Sequence, residues 1–167
     1  PAEKDWRTSI GLADGPNLLV VEGLDRKGNV LSHDSVTVTL TTAAPSPVDQ
    51  LVISEIMYHS VDPEADYVEV FNRSADTFDL GNWRLNGVDE TFHHGALIGP
   101  GEYRVLAENI TAYQHAYGNA EVVIGDYAGN LDNGGETLTL EMLVGSNSWV
   151  AIDKVRYGDT GAWSTNA

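Results

Sequence analysis

The chain has 167 residues, of which 42% are hydrophobic, as expected of one ordinary globular domain or of one small domain plus part of another. Its 25 Asp and Glu residues outnumber 9 Lys and Arg residues, and the net charge of -16 disfavours binding to nucleic acid or anionic membranes. Cysteine is absent, which excludes disulfides and cysteine-ligated zinc, and no apolar run approaches the roughly 20 residues that span a bilayer.

The amino terminus, PAEKDWRTSI, has no charged leader followed by an apolar stretch, so it does not resemble a signal peptide. A start at Pro1 rather than Met is expected of a chain excised from a longer protein. Any export signal or anchor is then expected to lie outside this sequence.

Residues 1–43 are predicted to hold about three short strands. The run NLLVVEGLDRKGNVLSHDSVTVTL indicates two strands joined by the turn-rich DRKGN. In its second half Val36, Val38 and Leu40 alternate with threonines, as in a hairpin with one apolar face. Such a face requires something to cover it.

A linker is predicted at residues 44–49, where Pro45 and Pro47 stand two apart among small residues. From residue 50 to residue 167 the chain consists mainly of short β-rich runs bounded by Gly, Pro, Asn or Asp. Short strands at this spacing are typical of an antiparallel β-sandwich or barrel, and the fold class is therefore all-β.

One interruption, ENITAYQHAYGN, has a helical pattern. Asn109 can cap the helix, Ile110, Tyr113 and Tyr117 recur at helical spacing, and Gly118 can end it. We expect about two turns of helix between strands.

The segment DLGNWRLNG places the large apolar Trp83 directly after the turn residues Gly81 and Asn82. On a strand, Leu85 shares a face with Trp83 and Arg84 points to the other side. Since sandwiches usually bury a tryptophan between their sheets, we expect the turn to direct Trp83 into the core.

Five segments in order resemble the lamin tail domain family in its bacterial form. They are LVISEIMYHSVDPEADYVEVFN at 51–72, FDLGNWRLNG at 78–87, LIGPGEYRVLAEN at 97–109, LDNGGETLTL at 131–140 and DKVRYGDTGAW at 153–163. The resemblance implies an immunoglobulin-like β-sandwich without enzymatic activity, used in bacteria as one module of large exported proteins. It implies no reaction.

Two features lie outside this resemblance. Bacterial relatives continue past the tryptophan with a glycine-containing turn and a final strand, whereas this chain ends at GAWSTNA, so that strand is expected to be missing or replaced. The first segment, residues 1–43, is similar to the later half of an extracellular immunoglobulin-like or fibronectin-like module.

The acidic run VDPEADYVE places Asp62, Glu64 and Asp66 at every second position. Carboxylate oxygens are ligands that calcium prefers, so these three residues are a candidate calcium site. An EF-hand is excluded, because Tyr67 stands at the sixth position and Arg73 at the twelfth. The alternative is a solvated turn, and no other cofactor is expected.

The common catalytic motifs are absent from the sequence. There is no Gly-x-Ser-x-Gly elbow, no His-Glu-x-x-His motif and no phosphate-binding glycine loop. His93 and His94 are adjacent and would point to opposite faces of a strand, which indicates loop or surface histidines rather than a shared metal site. We predict no catalytic residue and no enzymatic activity.

Four tryptophans and seven tyrosines could provide a stacking surface for sugar rings. Trp163, which lies among small polar residues near the end of the chain, is the candidate ligand-binding residue. A carbohydrate-binding module is therefore one alternative function.

The sequence thus predicts a non-catalytic interaction or spacer module of a larger bacterial surface or secreted protein. Its partner would be an unidentified protein or a glycan, not nucleic acid, and the module itself would not insert into a membrane. Its location would be extracellular or on the cell surface. A further alternative is an accessory domain attached to a catalytic domain elsewhere.

Overall fold

The computed structural model describes residues 8, 10–41, 45–118, 123–145 and 147–160. The chain divides into two compact units, with a boundary between Ser46 and Pro47. That boundary lies within the segment 44–49 predicted as a linker. In the described ranges, no helix has both the length and the apolar character needed to cross a membrane.

The unit that ends at Ser46 contains the predicted hairpin, formed by β1 (Gly15–Leu24) and β2 (Val30–Leu40). Asp25 closes the turn, where its carboxylate accepts hydrogen bonds from two backbone N–H groups of the turn. The strand predicted upstream is not formed by Thr8 or by residues 10–14, and residues 1–7 and 9 lie outside the described residues. Large apolar side chains are exposed on both strands of the hairpin.

The other unit is a β-sandwich with one short helix, which confirms the predicted fold class. Its strands are β3 (Leu51–Met57), β4 (Tyr67–Asn72), β5 (Phe78–Asp79), β6 (Arg84–Asn86), β7 (Glu90–Thr91), β8 (Leu97–Ile98), β9 (Tyr103–Ala107), β10 (Val123–Asp126), β11 (Thr137–Val144) and β12 (Ser148–Arg156). One four-stranded sheet, here the β4 sheet, has the order β10-β9-β4-β3. The other, the β11 sheet, has the order β12-β11-β6-β7, and β5 pairs with β8 separately.

The sandwich encloses a core to which residues of both sheets contribute. Fully buried members include Leu51, Val68, Val70, Leu85, Ile98, Leu138 and Leu140. Trp83 is only 6% exposed and belongs to this core, which confirms the prediction for it. Asn82 has φ of 64° in the preceding turn, where Trp83 N donates to Leu80 O at 2.9 Å. Truncation of such a buried indole to alanine costs about 3–5 kcal/mol.

The helix α1 (Ile110–Tyr117) precedes β10, which forms the one parallel pairing among the described strands. It joins β9 to β10, and parallel neighbours require a crossover of this kind. Asn109 caps α1 as predicted, because its Oδ1 accepts hydrogen bonds from the N–H groups of Thr111 and Ala112 at 2.9 and 3.2 Å. Gly118 follows the helix with φ of 96°.

Candidate functional site

The acidic turn between β3 and β4 gives its carboxylates separate partners. Asp66 Oδ1 accepts a hydrogen bond from Ser60 N at 2.8 Å. Glu64 Oε2 accepts one from Asn109 Nδ2 at 3.0 Å, and the φ of Glu64 is 64°. Asp62 Oδ2 faces the helix instead. The turn therefore contacts α1 at two places, with Glu64 at the Asn109 cap and Asp62 at His115.

Asp62 Oδ2 lies 3.6 Å from Nδ1 of His115, and both side chains are substantially exposed. A shallow cavity of about 460 Å³ lies between the turn and α1. Its lining residues are Asp62, Pro63, Glu64, Asn109, Thr111, Ala112 and His115. Across the part of the chain that the structure describes, no three His, Asp or Glu side chains are grouped to hold a metal ion. Calcium binding by Asp62, Glu64 and Asp66 stays a prediction.

The histidines lie at the surface. All five are exposed, and for His93 and His94 this agrees with their interpretation as loop or surface residues. His93 and His94 lie in the connection between β7 and β8, outside the paired strands. Their positions therefore give no indication of a shared metal site.

The two tryptophans that the structure describes leave little free ring surface for a sugar. Trp83 is buried, and Trp149 is half-buried with Arg84 Cζ 4.1 Å from the centroid of its ring. Arg84 is itself held by Glu141, whose Oε2 lies 2.6 Å from Arg84 Nε. Trp163, the predicted ligand-binding residue, lies outside the described residues.

An open row of apolar side chains crosses the outer face of the β4 sheet. Val52, Phe71 and Tyr103, here the aromatic row, are cross-strand neighbours on β3, β4 and β9. They face outward, because side chains alternate along a strand and Val70 is in the core. The rings of Phe71 and Tyr103 stack with centroids 4.4 Å apart, and Tyr103 is 43% exposed. The row is an apolar surface on a paired sheet rather than on a loop.

The other end of the same face is covered by α1. Tyr113 of the helix packs in a small cluster with Tyr67, Val105 and Ala107. The Tyr67 ring meets the rings of both Tyr113 and Tyr117 with centroids 5.1 Å apart. Burial, and after it the carboxylate charges of the sheet, raise the pKa of the Tyr113 hydroxyl. The helix thus fixes a tyrosine cluster beside the open part of the face.

Two glutamates lie between the aromatic row and this tyrosine cluster. Glu55 on β3 stands directly opposite Glu69 on β4, and we call these two residues the glutamate pair. Ser54 Oγ donates to Glu69 Oε1 at 2.7 Å, and Tyr67 Oη donates to Glu55 Oε1 at 2.8 Å. Burial and then the bond to Glu55 raise the pKa of Tyr67, which keeps this hydroxyl protonated as a donor.

The sequence analysis did not identify the aromatic row. The alternation in YVEVF marks Phe71 as outward-facing, and the alternation in YRVLA does the same for Tyr103. Their contact depends on the register between β4 and β9, which the sequence pattern does not specify.

A comparison with protein-family models finds one match, to the model described as Lamin Tail Domain, over residues 44–159. This span covers more than two thirds of the chain. It includes the acidic turn, α1, the glutamate pair and the aromatic row. Searches of curated proteins and of solved structures found no match.

Proposed function

The chain belongs to the lamin tail domain family, a family of non-catalytic immunoglobulin-like domains, and we propose that it is an interaction or spacer module of a larger bacterial surface or secreted protein. In this proposal the module lies outside the cell and binds a protein partner. The observation that carries it is the aromatic row on the outer face of the β4 sheet.

The aromatic row has the properties of the centre of a protein interface. Aromatic side chains are enriched in such centres, because they bury a large area with little loss of conformational freedom. Phe71 is paired on both sides, with Val52 of β3 and Tyr103 of β9, so the sheet holds the backbone of both aromatic residues in place. Because the surface is already ordered, binding a partner would cost little free energy for ordering it.

A protein partner fits the row better than a glycan does. Sugar-binding aromatics present free ring faces, whereas Phe71 and Tyr103 stack on each other and each covers one face of its neighbour. Arg84 likewise covers one face of Trp149. The carbohydrate hypothesis therefore rests on Trp163, which lies outside the described residues, and on the tyrosines.

Site-specific photocrosslinking tests the proposal. A photoreactive phenylalanine analogue replaces Tyr103 in the full chain, and in a control chain it replaces Thr91, which is exposed on the β11 sheet. Each chain is irradiated with proteins extracted from the cells that produce it. We expect discrete adducts from position 103 and none from position 91. Equal adducts at both positions, or none at 103, would overturn the proposal.

A further inference from the structure

We propose that the partner presents Lys or Arg side chains, and that the glutamate pair receives them between the aromatic row and the tyrosines of α1. The inference rests on the proposed function and adds the chemical class of the partner. Its main observation is that two like charges stand opposite each other on a sheet face where the described residues provide no basic side chain to neutralise them.

Like charges directly opposite each other on neighbouring strands destabilise a sheet. Glu55 and Glu69 occupy such positions, and their hydrogen-bond donors, Tyr67 Oη and Ser54 Oγ, are both uncharged. Among the described residues, no ion pair reaches either carboxylate. A cationic side chain from outside would relieve this repulsion.

The four strands of the β4 sheet contain one basic residue, and it is engaged elsewhere. Arg104 donates from Nε to Leu97 O at 2.6 Å, and its Nη2 lies 2.6 Å from Glu102 Oε2. It pairs in register with Val70, which belongs to the core, and so alternates with the outward-facing Tyr103. The exposed face is thus acidic and aromatic.

Aromatic rings on both sides of the glutamate pair suit a Lys or Arg side chain. Tyr103 on one side and Tyr117 on the other are each 43% exposed. A guanidinium or ammonium group is attracted to the face of such rings and to carboxylates, and its aliphatic stem packs on apolar surface. The raised pKa of Tyr113, to which both glutamates contribute, agrees with a short distance from α1 to the pair.

Long-range electrostatics favour the same class of partner. The net charge of -16 attracts a basic protein segment and repels an acidic one. The local contacts and the overall field therefore act in the same direction. Binding should weaken as salt is added, because surface charges are screened over about 8 Å at physiological ionic strength.

The test measures binding of a short peptide of alternating Arg and Ser to the full chain by isothermal titration calorimetry. A second peptide with citrulline in place of every Arg keeps the shape and removes the charge. The test variant Glu69→Gln removes one charge and retains an acceptor for Ser54 Oγ. The matched control is Asp89→Asn, which removes one charge from the exposed turn between β6 and β7 of the β11 sheet.

We expect Glu69→Gln to weaken binding of the Arg peptide by about fivefold, and Glu55→Gln together with Glu69→Gln by on the order of tenfold or more. Asp89→Asn should change it by less than about twofold. The inference is overturned if the citrulline peptide binds as tightly as the Arg peptide, or if Asp89→Asn costs as much as Glu69→Gln. If the Arg peptide fails to bind while crosslinks from position 103 persist, the interaction module stands and the basic partner is refuted.

Discussion

Asp153 and Ile53, one hundred residues apart in the chain, are joined by a hydrogen bond from Ile53 N to Asp153 Oδ2 at 2.7 Å. Asp153 is on β12 and Ile53 is on β3, the edge strands of the two sheets. The donor lies at an irregularity in β3, where the register with β4 shifts between Ile53 and Glu55. A side chain of one sheet therefore satisfies a backbone group at the edge of the other.

Loss of this bond should destabilise the sandwich. We expect Asp153→Ala to lower the free energy of unfolding by about 1–3 kcal/mol, because a partly buried N–H group loses its acceptor. Asp153→Asn keeps an acceptor oxygen and should cost less. Urea unfolding measures both, with Asp159→Ala as an exposed control. Equal costs for the alanine and asparagine variants at position 153 would contradict a role for this hydrogen bond.

Gly135 allows the turn before β11 to approach the chain after β12. A Cβ atom at Gly135 would lie 2.4 Å from Gly158 Cα and 2.5 Å from Tyr157 O, both backbone atoms that cannot rotate away. Gly135 and Gly145 both have a positive φ, which is 65° at Gly145, but a Cβ atom added at Gly145 would meet nothing within 4 Å.

Alanine substitution at these two glycines separates steric clash from backbone strain. We expect Gly145→Ala to cost about 1–2 kcal/mol, the usual penalty for a left-handed alanine. Gly135→Ala should cost at least about 2 kcal/mol more, because the backbone must also move. Chemical denaturation of both variants provides the comparison, and similar losses would show that the close approach is not required.

Glu108 should make the stability of the sandwich depend on pH. Burial, and then the nearby charges of Asp66 and Glu64, raise its pKa above the ordinary value of 4.5. The folded state therefore holds the proton more tightly than the unfolded state. Ionisation of Glu108 consequently lowers the free energy of unfolding as the pH rises from 4.5 through the folded pKa of this group. The full loss of stability is present at neutral pH.

Glu108→Gln should therefore raise the urea midpoint at about pH 7. At about pH 3 it should leave the midpoint nearly unchanged, because Glu108 is then protonated in both the folded and the unfolded protein. Asp76→Asn, an exposed substitution, serves as the control for a general change in net charge. A gain of the same size at both pH values would mean that the amide acts through packing rather than through the removed charge.

The calcium hypothesis predicts that millimolar calcium raises the midpoint of thermal unfolding and that excess chelator reverses the rise. A ligand that binds only the folded state at about 100 times its Kd adds about 2.7 kcal/mol of stability. Asp62→Asn should remove the effect, and Asp76→Asn should not. If calcium leaves the midpoint unchanged, Asp62, Glu64 and Asp66 are solvated carboxylates that stabilise the turn through their separate hydrogen bonds and the His115 contact.

The sequence by itself determined the elements that depend on local patterns. Alternating side chains predicted the hairpin and the sandwich strands, and the turn at Gly81 and Asn82 predicted the burial of Trp83. Asn109 and Gly118 marked the ends of α1. These features follow from the chemistry and periodicity of a few consecutive residues, so no knowledge of distant contacts was needed to predict them.

The tertiary structure alone decided which distant residues meet. The opposition of Glu55 and Glu69, the stacking of Phe71 on Tyr103 and the bond from Ile53 to Asp153 all depend on strand register or sheet order. A shift of one residue along a strand would turn each of these side chains to the opposite face. Register is fixed by bulges, turns and core packing across the whole sandwich, which is why the acidic and aromatic face could not be assembled from local sequence patterns.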